Sequence, residues 1–184
     1  MPAQPQDIVG FWTAAGPEKW FAKTDRFDDA IRLKFEGVHY AAARGEYDGW
    51  AATADGALAL LILLDQFPRN LWRNSGHAFA TDAKARTIAE AALQRGFDRQ
   101  VAANLRPFFY LPFEHEETAA GQDRSIALFE ALAADTGDQE SLKWARLHKE
   151  IIDRFGRFPH RNAALGRVTT KEEQAFLDDG GFAG

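Results

Sequence analysis

Two stretches of the sequence combine Phe-Pro with an arginine and an asparagine, and both could bind an anion. The first is DQFPRN, from Asp65 to Asn70, and the second is FGRFPHRN, from Phe155 to Asn162. Around the second stretch, residues 154–167 include four arginines and a histidine but no acidic residue. Guanidinium groups bind carboxylates and phosphates through paired N–H donors. We therefore expect these arginines either to pair with acidic residues elsewhere in the chain or to hold an external anion.

The first stretch has the same two interpretations. Asp65 follows the apolar run ALALLILL and precedes Arg69 by about one helical turn. A carboxylate at such a position is costly to bury without a partner. An Asp65–Arg69 pair, with Asn70 in a turn, would be structural. Alternatively, Arg69 and Asn70, together with Arg73, would form part of an anion site.

Histidines supply the candidate groups for proton transfer. His115 lies among carboxylates in YLPFEHEE, residues 110–117. A histidine beside a carboxylate can be held in one tautomer for proton transfer, or can offer ligands to a metal. The spacing is not the HExxH of zinc proteases. His160 lies within the arginine-rich stretch, whereas His148 falls on the apolar face of a predicted helix, either as a core residue or in the wall of the same cavity.

The composition excludes several classes of function. The chain has 184 residues, a net charge of -5 and no cysteine. Disulfides, thiolate catalysis and cysteine-bound zinc are thereby excluded, and the charge argues against a nucleic-acid partner. The start of the chain lacks the pattern of a secretory signal, and the longest apolar run is far shorter than the roughly 18 residues of a membrane-spanning helix. We expect a cytoplasmic protein without a nucleic-acid or membrane partner.

The spacing of apolar residues predicts an all-α fold. Thr24, Asp138 and the capping-box pair Thr170–Glu173 are expected to begin helices, and glycines to end them. Pro68 and Pro107 are expected to end helices as well, and the aromatic, proline-bearing residues that precede His115 in the stretch 110–117 are expected to form a turn. The predicted helices span residues 25–44, 57–64, 82–95, 98–105, 122–134 and 138–155, with a last one after residue 170. Helices of this length suggest antiparallel pairs in a bundle or an α-solenoid, within a single domain over residues 1–184.

Three long motifs carry a resemblance to a known family. They are LALLILLDQFPRN, YLPFEHEE followed by Gln122, and HKEIIDRFGRFPHRNAALGR followed by TTKEEQAFL. With them the chain, from Phe11 to Leu177, resembles the bacterial family called domain of unknown function 924. The resemblance implies an all-helical, tetratricopeptide-like fold and supplies no function. One departure is Glu116, where the family favours serine, which argues against a role that needs a hydroxyl there.

Two functions are consistent with these motifs. The first is a polar pocket, lined by histidine and arginine, that binds or acts on a small anionic ligand. The second is a helical-repeat scaffold that binds a peptide or protein partner, with the polar motifs as internal clamps. The sequence leaves the cofactor, the oligomeric state and enzymatic activity open, and no metal site is predicted. The predicted catalytic residues are His115, Glu117 and His160, and the predicted ligand-binding residues are Asp65, Arg69, Asn70, His148, Arg157, Arg161 and Asn162.

Overall fold

The computed structural model describes residues 2–182, and all regular structure in that range is helical. The prediction of an all-α fold is therefore confirmed. The α-helices are α1 (Pro5–Ala15), α2 (Pro17–Trp20), α3 (Asp25–Ala43), α4 (Ala54–Leu61), α5 (Phe67–Leu71), α6 (Asp82–Gln94), α7 (Pro107–Glu114), α8 (Ala119–Thr136), α9 (Gln139–Phe155) and α10 (Lys171–Asp178). Short 3-10 turns lie at Asp48–Ala52, Gly76–Phe79, Phe97–Gln100, Ala103–Leu105 and Pro159–Arg161.

Helix ends follow the capping residues of the sequence. Helices α8 and α9 end at Gly137 and Gly156, whose φ angles of 80° and 69° are left-handed. Only glycine adopts that conformation at little cost. Thr170 begins α10 with the predicted capping box, in which its side chain accepts from the N–H of Glu173. Local sequence therefore determines where these helices begin and end.

Pro68 does not end its helix, contrary to the prediction. A π-helical turn, Ile62–Gln66, follows α4 directly and continues into α5. Pro68 is the second residue of α5, and the first turn of a helix does not require an N–H donor. The change of hydrogen-bond register in the π turn lets the chain stay helical through the proline.

Three further predictions, for residues 98–105, Pro107 and the turn before His115, were wrong. Residues 98–105 form two 3-10 turns rather than one helix, and Pro107 begins α7 instead of ending a helix. The residues before His115 that were expected to form a turn are helical, and Pro112 lies inside α7. Phe108 and Phe109 of this helix are almost fully buried. Burial of such large aromatic side chains outweighs the low helix propensity of one proline.

The described residues group into two compact units. The first comprises residues 2–73 and 77–112, and the second comprises residues 74–76 and 113–182. The prediction of one domain stays a prediction, and residues 1, 183 and 184 of its range lie outside the described residues. Within residues 2–182, no helix combines the length and apolar character needed to cross a membrane.

Each unit has its own apolar core. In the first unit, the run Ala57–Leu64 is completely buried, together with Trp12, Ile31 and Phe67. In the second unit, Ile151, Ile152 and Phe158 form the centre of the core.

Helices α8 and α9 of the second unit form an antiparallel hairpin. Lys149 Nζ lies 2.9 Å from Asp123 Oδ1, and Arg146 Nη2 lies 3.5 Å from Glu130 Oε1. The pairing partners run in opposite directions along the two helices, which establishes the antiparallel order. This hairpin places His148 on the buried side of α9. The tetratricopeptide-like arrangement of the whole chain stays a prediction.

Candidate functional site

In the first unit, Arg69 is enclosed by two carboxylates. Its Nη1 and Nη2 donate to Asp82 Oδ1 and Oδ2 at 2.9 and 3.0 Å, and Nη1 lies 3.3 Å from Asp65 Oδ1. Asp65 is fully buried. Burial alone would lower the pKa of Arg69, but Asp65 and Asp82 outweigh it and raise the pKa. The geometry is that of a structural clamp between the π turn and the start of α6.

Asn70 takes part in a second clamp of the first unit. Its Nδ2 donates to Asp28 Oδ1 at 2.8 Å, and Arg73 donates to both carboxylate oxygens of Asp28, from Nε at 2.5 Å and from Nη2 at 2.9 Å. Asp28 and Asn70 are buried. The network joins α3 to the end of α5. Asp65, Arg69 and Asn70, all predicted to bind a ligand, thus have carboxylate or guanidinium partners within their own unit.

In the second unit, Arg157 and Asn162 converge on one buried carboxylate. Arg157 Nε and Nη2 donate to Glu173 Oε1 and Oε2 at 2.6 and 2.8 Å. Asn162 Nδ2 and the N–H of Thr170 donate to the same Oε2, at 3.2 and 2.8 Å. The hydrogen bonds from Arg157 lower the pKa of Glu173 to about 2. This carboxylate fixes the arginine-rich stretch to the first turn of α10.

Glu117 holds the other side of the same stretch. Arg167 donates to it from Nη1 at 2.6 Å and from Nη2 at 3.0 Å, and the N–H of Phe158 donates at 2.7 Å. Burial would raise the pKa of Glu117, but the hydrogen bonds from Arg167 and Phe158 outweigh burial and lower the pKa. A carboxylate that is kept ionised in this way suits a structural role better than the predicted catalytic role, which stays a prediction.

A buried carboxylate also lies next to His148, and no local sequence pattern indicated this pair. His148 Nδ1 lies 2.9 Å from Trp144 O and 3.3 Å from Glu114 Oε1, and both side chains are buried. A carbonyl oxygen only accepts, so Nδ1 carries a proton, and in the neutral ring Nε2 carries the lone pair. Glu114 lies at the end of α7 and is 34 positions from His148.

His115 and His160 lie near this pair. The ring centroids of His115 and His148 are 6.5 Å apart. The rings of His148 and His160 each contact Phe158, at 5.4 and 5.6 Å. Both His115 and His160 are half-buried, whereas His148 is buried. The second unit therefore collects three imidazoles, which the sequence distributes over residues 115–160.

Arg161 and Gln122 position the backbone around His115. Arg161 Nη1 donates to His115 O at 3.1 Å, and its guanidinium lies 4.6 Å from the ring centroid of Phe158. Gln122 Nε2 donates to the carbonyls of Glu114 and Glu116, at 2.8 Å each. Gln122 was part of a sequence motif, but its spacing gave no indication that it would bridge the residues on either side of His115.

Other features of the described residues are separate from these motifs. In the first unit, a cavity of about 590 Å³ is lined by Phe11, Lys34, Phe35, Val38 and Tyr47, among others. None of the predicted site residues is among the residues that line this cavity. Within residues 2–182, no three His, Asp or Glu side chains form a group that could hold a metal ion.

Comparison with known proteins connects the chain to proteins of unknown function. Residues 8–181 match the model of the family described as "Bacterial protein of unknown function (DUF924)". A solved structure, of the protein of unknown function ATU0120 from Agrobacterium tumefaciens, is similar, with 48% sequence identity and a TM-score of 0.90. The match covers 95% of this chain and 97% of the Agrobacterium chain. The search of curated proteins found no match. The long motifs and the helical fold thus agree with the family match, and the chain belongs to the DUF924 family of bacterial proteins.

Proposed function

We propose that the second unit binds a small anionic ligand at His115, His148 and His160, and that the Glu114–His148 pair exchanges a proton with it. The observation that carries the proposal is the 3.3 Å distance between His148 Nδ1 and Glu114 Oε1, with both side chains buried. A buried carboxylate beside an imidazole has a known consequence. It fixes the orientation of the ring and stabilises its protonated form.

The tautomer of His148 supports a role in proton transfer. Because Nδ1 donates to the carbonyl of Trp144, the neutral ring has its basic lone pair on Nε2. When Nε2 takes a proton, the charge that develops on the ring lies next to Glu114. Such an arrangement of a carboxylate behind an imidazole is general in acid–base catalysis. His148 is then the proton acceptor, and Glu114 is a positioning residue.

The charges around the histidines favour an anion. Glu117 is ionised, and its charge is balanced by Arg167, which donates two hydrogen bonds to it. Glu114 lies next to His148, and Glu116 follows His115 in the chain. The cationic groups of the same region are Arg161, which donates to His115 O, and three imidazoles that can each take a proton. His115 and His160 are half-buried, so they can meet a ligand that arrives from solvent. A carboxylate or phosphate of small size is the class of ligand that such a group recognises.

The proposal can be tested by nuclear magnetic resonance with inorganic phosphate and acetate as probes. The imidazole resonances of His115, His148 and His160 are expected to shift on titration with at least one of the two anions. His39 and His77, in the first unit, serve as internal controls, and their imidazole resonances are not expected to shift. The variant His148→Gln should abolish the shifts of His115 and His160, whereas the control His77→Gln should leave them intact. Equal shifts of all five histidines, or none, would overturn the proposal.

A second candidate function, a scaffold for a peptide or protein partner, has its own support. The clamps around Arg69, Arg157 and Arg167 resemble the internal ties that hold helices in register. The cavity of the first unit also exposes apolar side chains between α1 and α3. The scaffold function includes a tetratricopeptide-like arrangement and a cytoplasmic location, and both stay predictions.

Binding of labelled amphipathic peptides, followed by fluorescence anisotropy, tests the scaffold function. Val38 lines the cavity of the first unit, and Val38→Asp should weaken binding about tenfold because it places a charge in an apolar contact. The control Leu33→Asp changes an exposed leucine of the same helix that is not among the lining residues. Equal affinity of both variants would reject this cavity as the binding surface.

A further inference from the structure

The segment that follows α10 places an aromatic ring against two of the three histidines. The ring centroid of Phe182 lies 4.6 Å from that of His148 and 5.2 Å from that of His160. It also lies 6.3 Å from the ring of Trp144. Phe158 contacts the same two histidines from within the core of the unit. The rings of His148, Phe182, His160 and Phe158 thus contact one another in a closed cycle.

Two glycines direct Phe182 to this place. Gly180 has a φ of 80°, which few other residues adopt, and its N–H donates to Leu177 O at 3.2 Å. The N–H of Gly181 donates to Phe176 O at 2.9 Å. A Cβ on Gly181 would collide with Phe176 O and with the Phe176 ring. The sharp turn from α10 to Phe182 therefore requires glycine at both positions.

The cycle of rings has no space for a ligand. Centroid distances of 4.6 to 5.6 Å are those of aromatic rings in direct contact. A ligand that approaches His148 or His160 from the side of Phe182 can do so only if this ring moves away. Phe182 itself is half-buried and follows the last turn of α10, so it is less firmly held than Phe158, which is fully buried.

We infer that Phe182 is a displaceable cover of the histidine site, and that residues Gly180 to Phe182 act as a strap that opens when a ligand binds. In the closed form, Phe182 occupies the contact surface of His148 and His160 and excludes water from it. In the open form, both imidazoles face solvent. This inference rests on the proposed function, because a cover regulates a site only if the site binds something. Access to the histidines can nevertheless be measured without any ligand.

Acylation of the histidines by diethyl pyrocarbonate, followed by mass spectrometry of each site, tests the cover directly. In Phe182→Ala, the acylation rates of His148 and His160 are expected to rise about five- to tenfold, because the Phe182 ring no longer shields them from the reagent. Rates at His39 and His77 should not change. The matched control is Phe21→Ala, which removes an exposed phenylalanine of the first unit. Unchanged rates at His148 and His160 in Phe182→Ala would overturn the inference.

A second variant and a measurement on the unmodified chain complete the test. Gly181→Ala should raise the same two rates while it leaves the Phe182 ring in the chain, because the added Cβ displaces the strap. If either variant unfolds, the acylation rates of all five histidines rise together. The inference is then tested on the unmodified protein. There, relaxation dispersion of the aromatic signals should detect opening at Phe182 but not at Phe158. A flat profile at Phe182 would overturn the inference, whereas failure of phosphate and acetate to bind would affect only the proposed function.

Discussion

The stretches Asp65–Asn70 and Phe155–Asn162 share the combination of Phe-Pro, arginine and asparagine, but their surroundings differ. In the first unit, Arg69 is held by the carboxylates of Asp65 and Asp82. In the second unit, Glu173 and Glu117 bind Arg157 and Arg167, and three histidines lie beside the stretch. An excess of arginine along the sequence therefore did not by itself indicate an anion site. The histidines make the difference between the two regions.

Two buried histidines sharpen the same comparison. In the first unit, His39 Nδ1 lies 2.7 Å from Leu63 O, and burial lowers the pKa of His39. In the second unit, His148 Nδ1 has a similar contact with Trp144 O, but Glu114 lies next to it as well. His39 has the environment of an ordinary core histidine, which stays neutral. Glu36 also acts on His39 and would raise its pKa, but burial outweighs it. His148 differs in having a buried carboxylate 3.3 Å from its Nδ1, which favours the protonated ring.

The largest effect is expected from loss of the Arg69 clamp. Arg69→Met removes the guanidinium that contacts both Asp65 and Asp82, and breaking a buried pair from one side should lower the free energy of unfolding by about 3 kcal/mol. Urea denaturation measures this loss. The control is Arg44→Met, which removes a pair with Glu46 whose two side chains are more than half exposed. If Arg69→Met were as stable as the control, the stretch in the first unit would not be a clamp.

A smaller, pH-dependent effect is expected from Glu173. Its pKa is about 2 in the folded protein, below the ordinary value of 4.5. The ionised pair with Arg157 thus contributes fully above pH 4.5, and its contribution is lost as the pH falls from 4.5 towards 2. Glu173→Gln should lower the melting temperature at pH 7 by about 2–5 °C. In this variant, the melting temperature should also decrease less steeply between pH 4.5 and 2 than in the unmodified chain.

The neighbouring Glu172 provides the control for this experiment. It pairs with Arg154 on the surface and is exposed. Glu172→Gln should leave the acid limb of the stability profile as steep as in the unmodified chain. Identical profiles for the two variants would show that the stretch Phe155–Asn162 is not fixed through Glu173.

The smallest effect is expected from Arg154, which lies in the same arginine-rich stretch. Its Nη2 is 3.3 Å from Glu172 Oε1, and both side chains are more than half exposed. Arg154→Met should change the free energy of unfolding by no more than about 0.5 kcal/mol, because solvent screens an exposed pair. Thermal and urea unfolding of Arg154→Met and Arg157→Met would be compared, to distinguish an exposed arginine from one that forms a structural ion pair. A loss as large as that of Arg157→Met would contradict this distinction.

The sequence predicted much of the helical framework because the signals for it are local. Gly137 and Gly156 end α8 and α9, and Thr170 with Glu173 begins α10, each through contacts within a few residues. Proline was the misleading signal. Pro68 and Pro107 were expected to end helices, yet one lies in the first turn of α5 and the other begins α7. A proline forbids a hydrogen bond at one position, but the burial of neighbouring side chains decides whether the chain stays helical.

The sequence by itself determined the helical class of the protein, the caps and the list of arginines and histidines that need partners. Only the tertiary structure decided which acid each cation meets. Glu173 follows Arg157 by 16 positions, Arg167 follows Glu117 by 50, and His148 follows Glu114 by 34. It also decided that Phe182 lies on His148 and His160. Capping and periodicity act over one or two helical turns, whereas ion pairs and ring contacts depend on the packing of distant segments, which no local pattern specifies.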